Sequence, residues 1–171
     1  MLLKSVLMGF LSLHSVDTTM LKECENHADK ISGCVEREYY SNGKIYWETP
    51  YKNDEIEGIE KWYYENGNLS REVPYKNNKR EGIEKWYHYE NGNLALEASV
   101  LNDILHGDIK LYTKDGKLLA LIKAENNKFI SGKCSSDKAL TSKDLEESNK
   151  YPYFESAINH LEVICIKSNS K

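Results

Sequence analysis

The middle of the chain contains a near-identical repeat. Gly58-Ile59-Glu60-Lys61-Trp62-Tyr63-Tyr64-Glu65-Asn66-Gly67-Asn68-Leu69 is followed by Gly82-Ile83-Glu84-Lys85-Trp86-Tyr87 and then by Glu90-Asn91-Gly92-Asn93-Leu94. Looser copies flank this pair, at Ser41-Asn42-Gly43-Lys44-Ile45 and at Lys114-Asp115-Gly116-Lys117-Leu118. The turn glycines are 24 or 25 residues apart, a step that is typical of repeat architectures. The sequence therefore predicts four repeat units, at about 35–57, 58–81, 82–106 and 107–132.

Each unit has the pattern of a β-hairpin. Asn-Gly, or Asp-Gly in the last copy, is the strongest short-range hairpin signal, because both turn residues must accept positive φ. After the turn, side chains alternate in character, and a second Asn column marks the connection to the next hairpin (Asn53, Asn77, Asn102, Asn126). Because an isolated hairpin is unstable in water, the units must stack. We therefore expect a mostly β fold of tandem antiparallel β-hairpin repeats, forming an elongated twisted sheet with a small α/β C-terminal cap.

Three details refine this expectation. Pro50 and Pro74 share a column, which predicts that neighbouring units pair over only part of their length. The third unit has one extra residue in Tyr87-His88-Tyr89, and a β-bulge would absorb it. The fourth copy is apolar on both faces for part of its length, which indicates that the C-terminal segment covers it (Leu118, Ala120, Ile122, Ala124).

The two ends of the array are predicted to be caps, at 17–34 and 133–171. Thr141 and Asp144 have capping-box spacing, which predicts a short helix over about 142–149. Pro152 is expected to begin a helix that runs through His160. Leu161 to Lys167, which contains Cys165, has the composition of a final short strand.

The N-terminus resembles a secretory signal peptide. Lys4 precedes an uncharged, apolar-rich stretch that ends at Val16, and the chain becomes polar at Asp17. A basic start followed by an apolar run of this length is the pattern of such a signal. We therefore predict a signal peptide at 1–16; the alternative is an amphipathic segment that packs on the end of the domain.

The four cysteines all lie outside the repeats. Cys24 and Cys34 precede them, whereas Cys134 and Cys165 follow them. An even number, two at each end, indicates disulfides in an oxidising compartment. Proximity favours Cys24–Cys34 and Cys134–Cys165 among the three possible pairings. Four reduced thiols in the end caps are the alternative.

Composition and motifs argue against several functions. The net charge of −4 comes from intermixed acidic and basic residues, so there is no basic stripe for nucleic acid. The histidines are scattered, and none falls in a metal-ligand or nucleophile motif (His14, His27, His88, His106, His160). We therefore predict no enzymatic activity, no cofactor and no metal site.

Units of the form Gly-x-x-x-x-Tyr-Tyr-x-Asn-Gly-x-Leu resemble the bacterial variant of MORN repeats over about residues 33–132. The resemblance implies stacked β-hairpins that act as a binding scaffold. Proteins of this group are often labelled as antitoxin components of toxin–antitoxin systems, and eukaryotic relatives of the repeat are associated with membranes. The cysteine segments resemble those of exported members from Gram-negative bacteria.

We therefore expect a scaffold for protein–protein interaction, periplasmic or secreted at the cell envelope. Its binding surface is predicted to be an aromatic ridge, because such side chains dominate interfaces (Tyr40, Trp62, Tyr63, Tyr64, Trp86, Tyr87, Tyr89). The same aromatics could instead build the thin core of the array. The alternatives in function are a cytoplasmic antitoxin that binds a toxin directly, and a membrane-surface adaptor that uses the best basic cluster (Lys76, Lys79, Arg80, Lys85).

Overall fold

The repeated hairpins form one open antiparallel sheet in the computed structural model, which describes residues 18–169. The predicted signal peptide at 1–16 lies outside these residues. The main strands are β1 (Cys34–Tyr39), β2 (Ile45–Lys52), β4 (Gly58–Tyr63), β5 (Leu69–Lys76), β7 (Gly82–Tyr87), β8 (Leu94–Leu101), β9 (Ile104–Tyr112), β10 (Leu118–Glu125) and β11 (Lys128–Cys134). They are neighbours in that order, and the two-residue strands β3 (Glu55–Ile56) and β6 (Lys79–Arg80) pair with β2 and β5. The predicted mostly β repeat fold is confirmed.

The two turns of each unit differ in backbone geometry. At the second Asn column both turn residues have positive φ, for example 54° at Asn53 and 64° at Asp54, as a two-residue hairpin turn requires. At the Asn-Gly corner only the glycine has positive φ, 82° at Gly43, so the expectation of positive φ at both residues of this corner is wrong. The primed turn therefore lies at the connection between units, whereas the Asn-Gly corner is a four-residue turn closed from Gly43 N–H to the Tyr40 carbonyl oxygen.

A β-bulge follows every Asn-Gly or Asp-Gly corner. In the first unit Glu38 pairs with Trp47 but Tyr39 pairs with Ile45, so Tyr46 has no partner across the ladder. The same register shift recurs in the other three units. A bulge breaks the alternation of side chains. In the fourth unit Leu119 and Ala120 are consecutive and both enter the core, which explains why this strand is apolar at successive positions.

The extra residue of the third unit enlarges a turn. Gly92 N–H bonds the His88 carbonyl oxygen, four residues back, whereas Gly67 N–H bonds the Tyr64 carbonyl oxygen, three residues back. The prediction that a special bulge absorbs this residue is wrong, because the bulge beside Tyr87 is common to all units.

The proline column limits pairing between units, as predicted. Strands β2 and β4 pair at only two positions, and so do β5 and β7. Strands β8 and β9, where Ser99 stands in place of the proline, pair at five positions. Proline has no N–H to contribute to a ladder, so Pro50 and Pro74 end the pairing early.

Asparagine side chains form hydrogen bonds between neighbouring units along both rims of the sheet. At one rim the Asn42 side-chain amide donates to the Glu65 carbonyl oxygen in the next unit at 3.1 Å, and Asn66 donates to that of Tyr89 at 3.1 Å. At the other rim Asn78 accepts from the Ile56 N–H at 2.8 Å through its side chain. The Asn columns therefore join adjacent units in addition to shaping each turn.

The C-terminal cap is helical. Helix α2 (Ser142–Ser148) begins at Thr141, where the predicted capping box is present. Helix α3 (Phe154–Asn169) includes the region predicted as a final strand, so that prediction is wrong. Ala157, Ile158, Leu161 and Cys165 are buried at three- and four-residue intervals, which is the spacing of one helix face. The β-branched residues that suggested a strand, Val163 and Ile166, lie on the exposed side.

The two sides of the sheet have different chemistry. The side on which α3 packs, here called the helical face, carries the apolar core in the last two units. The opposite side, here called the charged face, carries alternating basic and acidic residues that are paired across successive strands (Arg37, Glu48, Lys61, Glu72, Lys85, Glu97, Lys110). Opposite charges that face each other across strands stabilise a sheet.

Disulfides fasten both caps. Cys24 is joined to Cys34, where β1 begins, and Cys134 at the end of β11 is joined to Cys165 in α3; both pairs have Cα atoms 5.2 Å apart. This is the pairing that proximity favours. Helix α1 (His27–Ser32) completes the N-terminal cap, and Lys30 places its ammonium group 4.0 Å from the centre of the Tyr51 ring.

Candidate interaction surface

The helical face is covered in the last two repeats and open in the first two. Helix α3 is fixed to β11 by Cys165, and its first residue, Phe154, lies with its ring 6.3 Å from that of Trp86. The buried cluster around it is drawn from β8 to β11 and the two C-terminal helices, with Trp86 of β7 packed against it. Helix α1 contacts β2 through Lys30 and Tyr51, but among the described residues the buried apolar cluster beneath α3 includes no residue of β2, β4 or β5.

Four aromatic rings lie together on this open part, and we call them the aromatic cluster. The ring centres are 4.9 Å apart for Tyr40 and Tyr46, 5.3 Å for Tyr46 and Trp62, and 6.1 Å for Trp47 and Trp62. The bulge creates this arrangement, because it turns Tyr46 and Trp47 to the same side of the sheet. Tyr46 is 38% exposed and the other three are half-buried.

The structure divides the seven aromatics of the predicted ridge among different places. Tyr40 and Trp62 belong to the aromatic cluster, whereas Tyr64 and Tyr89 pack edge to face at the adjoining rim, 5.1 Å apart. Trp86 is partly covered by α3. Six of the seven are half-buried, and Tyr89 is exposed (Tyr40, Trp62, Tyr63, Tyr64, Trp86, Tyr87).

Tyr63 and Tyr87 lie on the charged face. Tyr63 donates its hydroxyl proton to Glu48 at 2.9 Å, and Tyr87 donates to Glu72 at 2.7 Å. Burial raises the pKa of both tyrosines well above the ordinary value of 10.0, and the neighbouring carboxylates raise it further. These hydroxyl groups join neighbouring strands on the charged face. In adjacent Tyr-Tyr and Trp-Tyr pairs, the two side chains therefore lie on opposite faces of the sheet.

Sequence reasoning missed Tyr46 and Trp47 as surface residues. Strict alternation after the Asn-Gly corner assigns them to opposite faces, and only the bulge brings them to the same face. A usable signal exists in hindsight: the two residues at the equivalent place in the fourth unit, Leu119 and Ala120, are both apolar.

Glu48 is the most enclosed carboxylate of the charged face. It is 3% exposed and accepts hydrogen bonds from Thr18 at 2.9 Å and from Tyr63 at 2.9 Å. Burial alone would raise its pKa, but these hydrogen bonds, together with the charges of Lys61 and Arg37, bring the pKa below its ordinary value. Glu48 is therefore a charged structural group under the N-terminal cap.

A cavity of about 450 Å³ lies between the helical face and the chain segment that enters α3. Its walls include Trp86, Phe129 and Phe154, and its polar side is formed by Arg71, Arg80 and Glu84. Within residues 18–169 no group of three or more His, Cys, Asp or Glu side chains could hold a metal ion. In the same part of the chain, no helix is long and apolar enough to cross a membrane.

Comparison with known families agrees with the repeat geometry. Residues 35–53 and 56–77 match the family MORN repeat variant. No curated protein matches the chain. The two matched stretches contain the hairpins that carry the aromatic cluster, and MORN repeats are in general protein-binding or membrane-binding units of a non-catalytic family.

Proposed function

We propose that this protein is a non-enzymatic repeat scaffold that binds a protein partner on the open helical face of its first two repeats. The contrast between the two halves of one sheet carries the proposal. In the last two repeats the chain covers this face with its own helix, and in the first two repeats the face presents the aromatic cluster instead. Stiff aromatic side chains give large contact area at low entropic cost and dominate binding hot spots.

Two tyrosines provide a matched test of this surface. Tyr46 is 38% exposed on the helical face, and Tyr39 is 52% exposed on the charged side of β1, where its hydroxyl donates to Glu23. We expect Tyr46→Ala to weaken capture of a cross-linked partner from native extract, and Tyr39→Ala to retain it. Equal capture by both variants would place the binding surface elsewhere.

We further propose that the protein works in an oxidising compartment, as a periplasmic or secreted protein. The two disulfides and the signal-like segment at 1–16 support this location. The test is the intact mass of native protein after alkylation of free thiols without reduction. A mass that begins beyond about residue 15 with no alkylated cysteine is the expected result. Retained Met1 with four alkylated thiols would overturn export and favour the cytoplasmic antitoxin role.

The membrane-surface alternative has less support from the charge arrangement. Arg80, the centre of the best basic cluster, bonds Asp103 through its side chain at 3.3 Å and lies 3.7 Å from Glu84. Lys85 is placed between Glu72 and Glu97 on the charged face. Binding to anionic lipid requires a denser set of unpaired positive charges.

A further inference from the structure

A Trp–Glu–Arg trio lies on the helical face where the second and third repeats meet, with Arg71 from β5 and with Glu84 and Trp86 from β7. The Trp86 indole N–H donates to the Glu84 carboxylate at 2.5 Å, and Arg71 donates to the same oxygen at 2.7 Å through Nε. The Arg71 guanidinium also lies over the Trp86 ring, 4.6 Å from its centre. Glu84 is only 3% exposed, so the guanidinium supplies the charge that its burial requires.

The second repeat has an equivalent Trp62–Glu60 pair, but Arg71 pairs with Glu84 and not with Glu60. The Trp62 indole N–H donates to one Glu60 oxygen at 2.9 Å, and the Thr49 hydroxyl donates to the other at 2.7 Å. Between repeats, Arg71 lies opposite Trp86 and Trp47 lies opposite Trp62. Arg71 also lies opposite Trp62 within the second repeat, but its guanidinium pairs with Glu84. Of the cationic side chains in residues 18–169, none forms an ion pair with Glu60.

The surroundings of Glu60 suit a positively charged guest. Glu38 lies directly across the ladder from Trp47, is exposed, and makes no ion pair within residues 18–169. Two basic residues of this region are already engaged: Lys30 of α1 pairs with Glu36 at 2.6 Å, and Arg71 of β5 pairs with Glu84 at 2.5 Å. The open face therefore combines four aromatic rings with two carboxylates that lack a cation.

We propose that Glu60 and the aromatic cluster form a docking site for an arginine side chain of the protein partner. The trio of Arg71, Glu84 and Trp86 supplies the pattern: a guanidinium that pairs with the glutamate and lies against the tryptophan. Arginine suits such a site better than lysine because its planar group bonds a carboxylate and stacks on an aromatic ring at the same time. This inference rests on the proposed binding of a protein at the same face, and it identifies an arginine as the partner residue that binds there.

The direct test is an NMR titration of the full chain with acetyl-Gly-Arg-Gly-amide. The protein has three tryptophans, so their indole N–H signals can be followed one by one. We expect the Trp62 signal to shift and the peptide with citrulline in place of arginine to bind at least about tenfold more weakly, since one lost ionic hydrogen bond is worth that factor or more. Equal affinity for the two peptides, or a shift confined to Trp86, would overturn the proposal.

Matched variants separate the site from general charge effects. Glu60→Gln keeps an oxygen that can accept from the Trp62 indole and an amide that can donate to the Thr49 hydroxyl, but it removes the charge. We expect about a tenfold loss of affinity for the arginine peptide. Glu65→Gln, in the exposed Asn-Gly corner, changes the net charge equally and should bind as the wild type does. An unshifted Trp86 signal in each variant will show that the fold is intact. If Glu60→Gln binds the arginine peptide with wild-type affinity, the proposed arginine site is wrong.

A third variant tests the geometry independently. Trp47→Arg places an arginine of the chain itself opposite Trp62, as Arg71 lies opposite Trp86. This arginine should occupy the site, so binding of the peptide should be lost. Undiminished peptide binding in a folded Trp47→Arg protein would argue against the proposal. If that variant fails to fold, the peptide affinity of Glu60→Gln decides whether the arginine site exists. Partner capture that depends on Tyr46 but not on Glu60 would overturn the arginine site and leave the proposed function standing.

Discussion

The Tyr64 hydroxyl donates a hydrogen bond of 2.7 Å to the backbone carbonyl oxygen of Tyr87, one repeat further along the chain. The Tyr40 hydroxyl makes the equivalent bond to Tyr63, at 2.6 Å. Each of these tyrosines thus ties the rim of one hairpin to the next hairpin. In an array where the proline columns shorten the ladder between units, such bonds contribute a larger share of the contact.

Replacement of Tyr64 by Phe should therefore loosen the junction between the second and third repeats. The ring and its packing against Tyr89 remain, whereas the half-buried Tyr87 carbonyl oxygen loses its side-chain donor. We expect a loss of about 1 kcal/mol in the free energy of unfolding, measured by urea denaturation. Tyr89→Phe is the control, since its hydroxyl makes no hydrogen bond to residues 18–169 and its side chain is 52% exposed. An equal loss in both variants would contradict the prediction.

Gly82 should tolerate no side chain. Its φ is +131°, and an added Cβ would lie 3.0 Å from the Cγ of Pro74 on the neighbouring strand. We expect Gly82→Ala to cost about 1–3 kcal/mol in the free energy of unfolding, from backbone strain and the close contact. Gly116→Ala, with φ +80° and open space around it, should cost less. Similar melting temperatures for the two variants would show that the approach of Pro74 is unimportant.

The two disulfides should differ in their effect on stability. Cys134–Cys165 spans 31 residues and Cys24–Cys34 spans 10. Because a cross-link restricts the unfolded chain more when its loop is longer, loss of the first should cost about 1 kcal/mol more than loss of the second. Paired Cys→Ser variants at each bridge, compared by chemical unfolding, measure the difference. Hydrogen exchange in α3 should accelerate only when Cys134 and Cys165 are replaced.

Stability should fall in acid through Glu48. Its folded-state pKa is lowered below the ordinary 4.5, so the folded protein binds this proton less readily than the unfolded chain does. The stabilisation is therefore fully present above pH 4.5 and disappears as the pH falls through the folded-state pKa. We expect Glu48→Gln to be less stable at pH 7 and to lose less stability on acidification to pH 3 than the wild type. Glu65→Gln controls for removal of an exposed carboxylate, and parallel pH profiles for Glu48→Gln and the wild type would contradict the prediction.

Local chemistry was enough to predict the repeat and its hairpins. Three features act through the backbone of the residues that carry them: the Asn-Gly corners, the Asn columns and the proline column. Their structural consequences can therefore be predicted from the sequence alone. The partial pairing beside Pro50 and Pro74 followed from the missing N–H alone. The helix that begins at Thr141 followed from two side chains three residues apart.

The composition of the interaction surface depended on contacts between distant residues. The bulge beside Tyr46 changes which side chains share a face, and alternation counted along the sequence cannot detect it. The final helix was mistaken for a strand because Val163, Ile164 and Ile166 favour extended backbone locally. Burial of Leu161 and Cys165 against the sheet outweighs that preference.

The sequence by itself determined the unit of this protein: a hairpin of about 24 residues, repeated four times, with a cysteine pair at each end. These features depend on turn geometry and spacing, which act within a few residues. The sequence also indicated that the C-terminal segment covers the fourth unit, but only the tertiary structure decided that α3 extends this cover to the third repeat and leaves the first two without it. It also decided that Glu84 is paired with Arg71 whereas Glu60 has no arginine. The reason is physical: both outcomes depend on which strands become neighbours and where a distant helix finds apolar surface to bury.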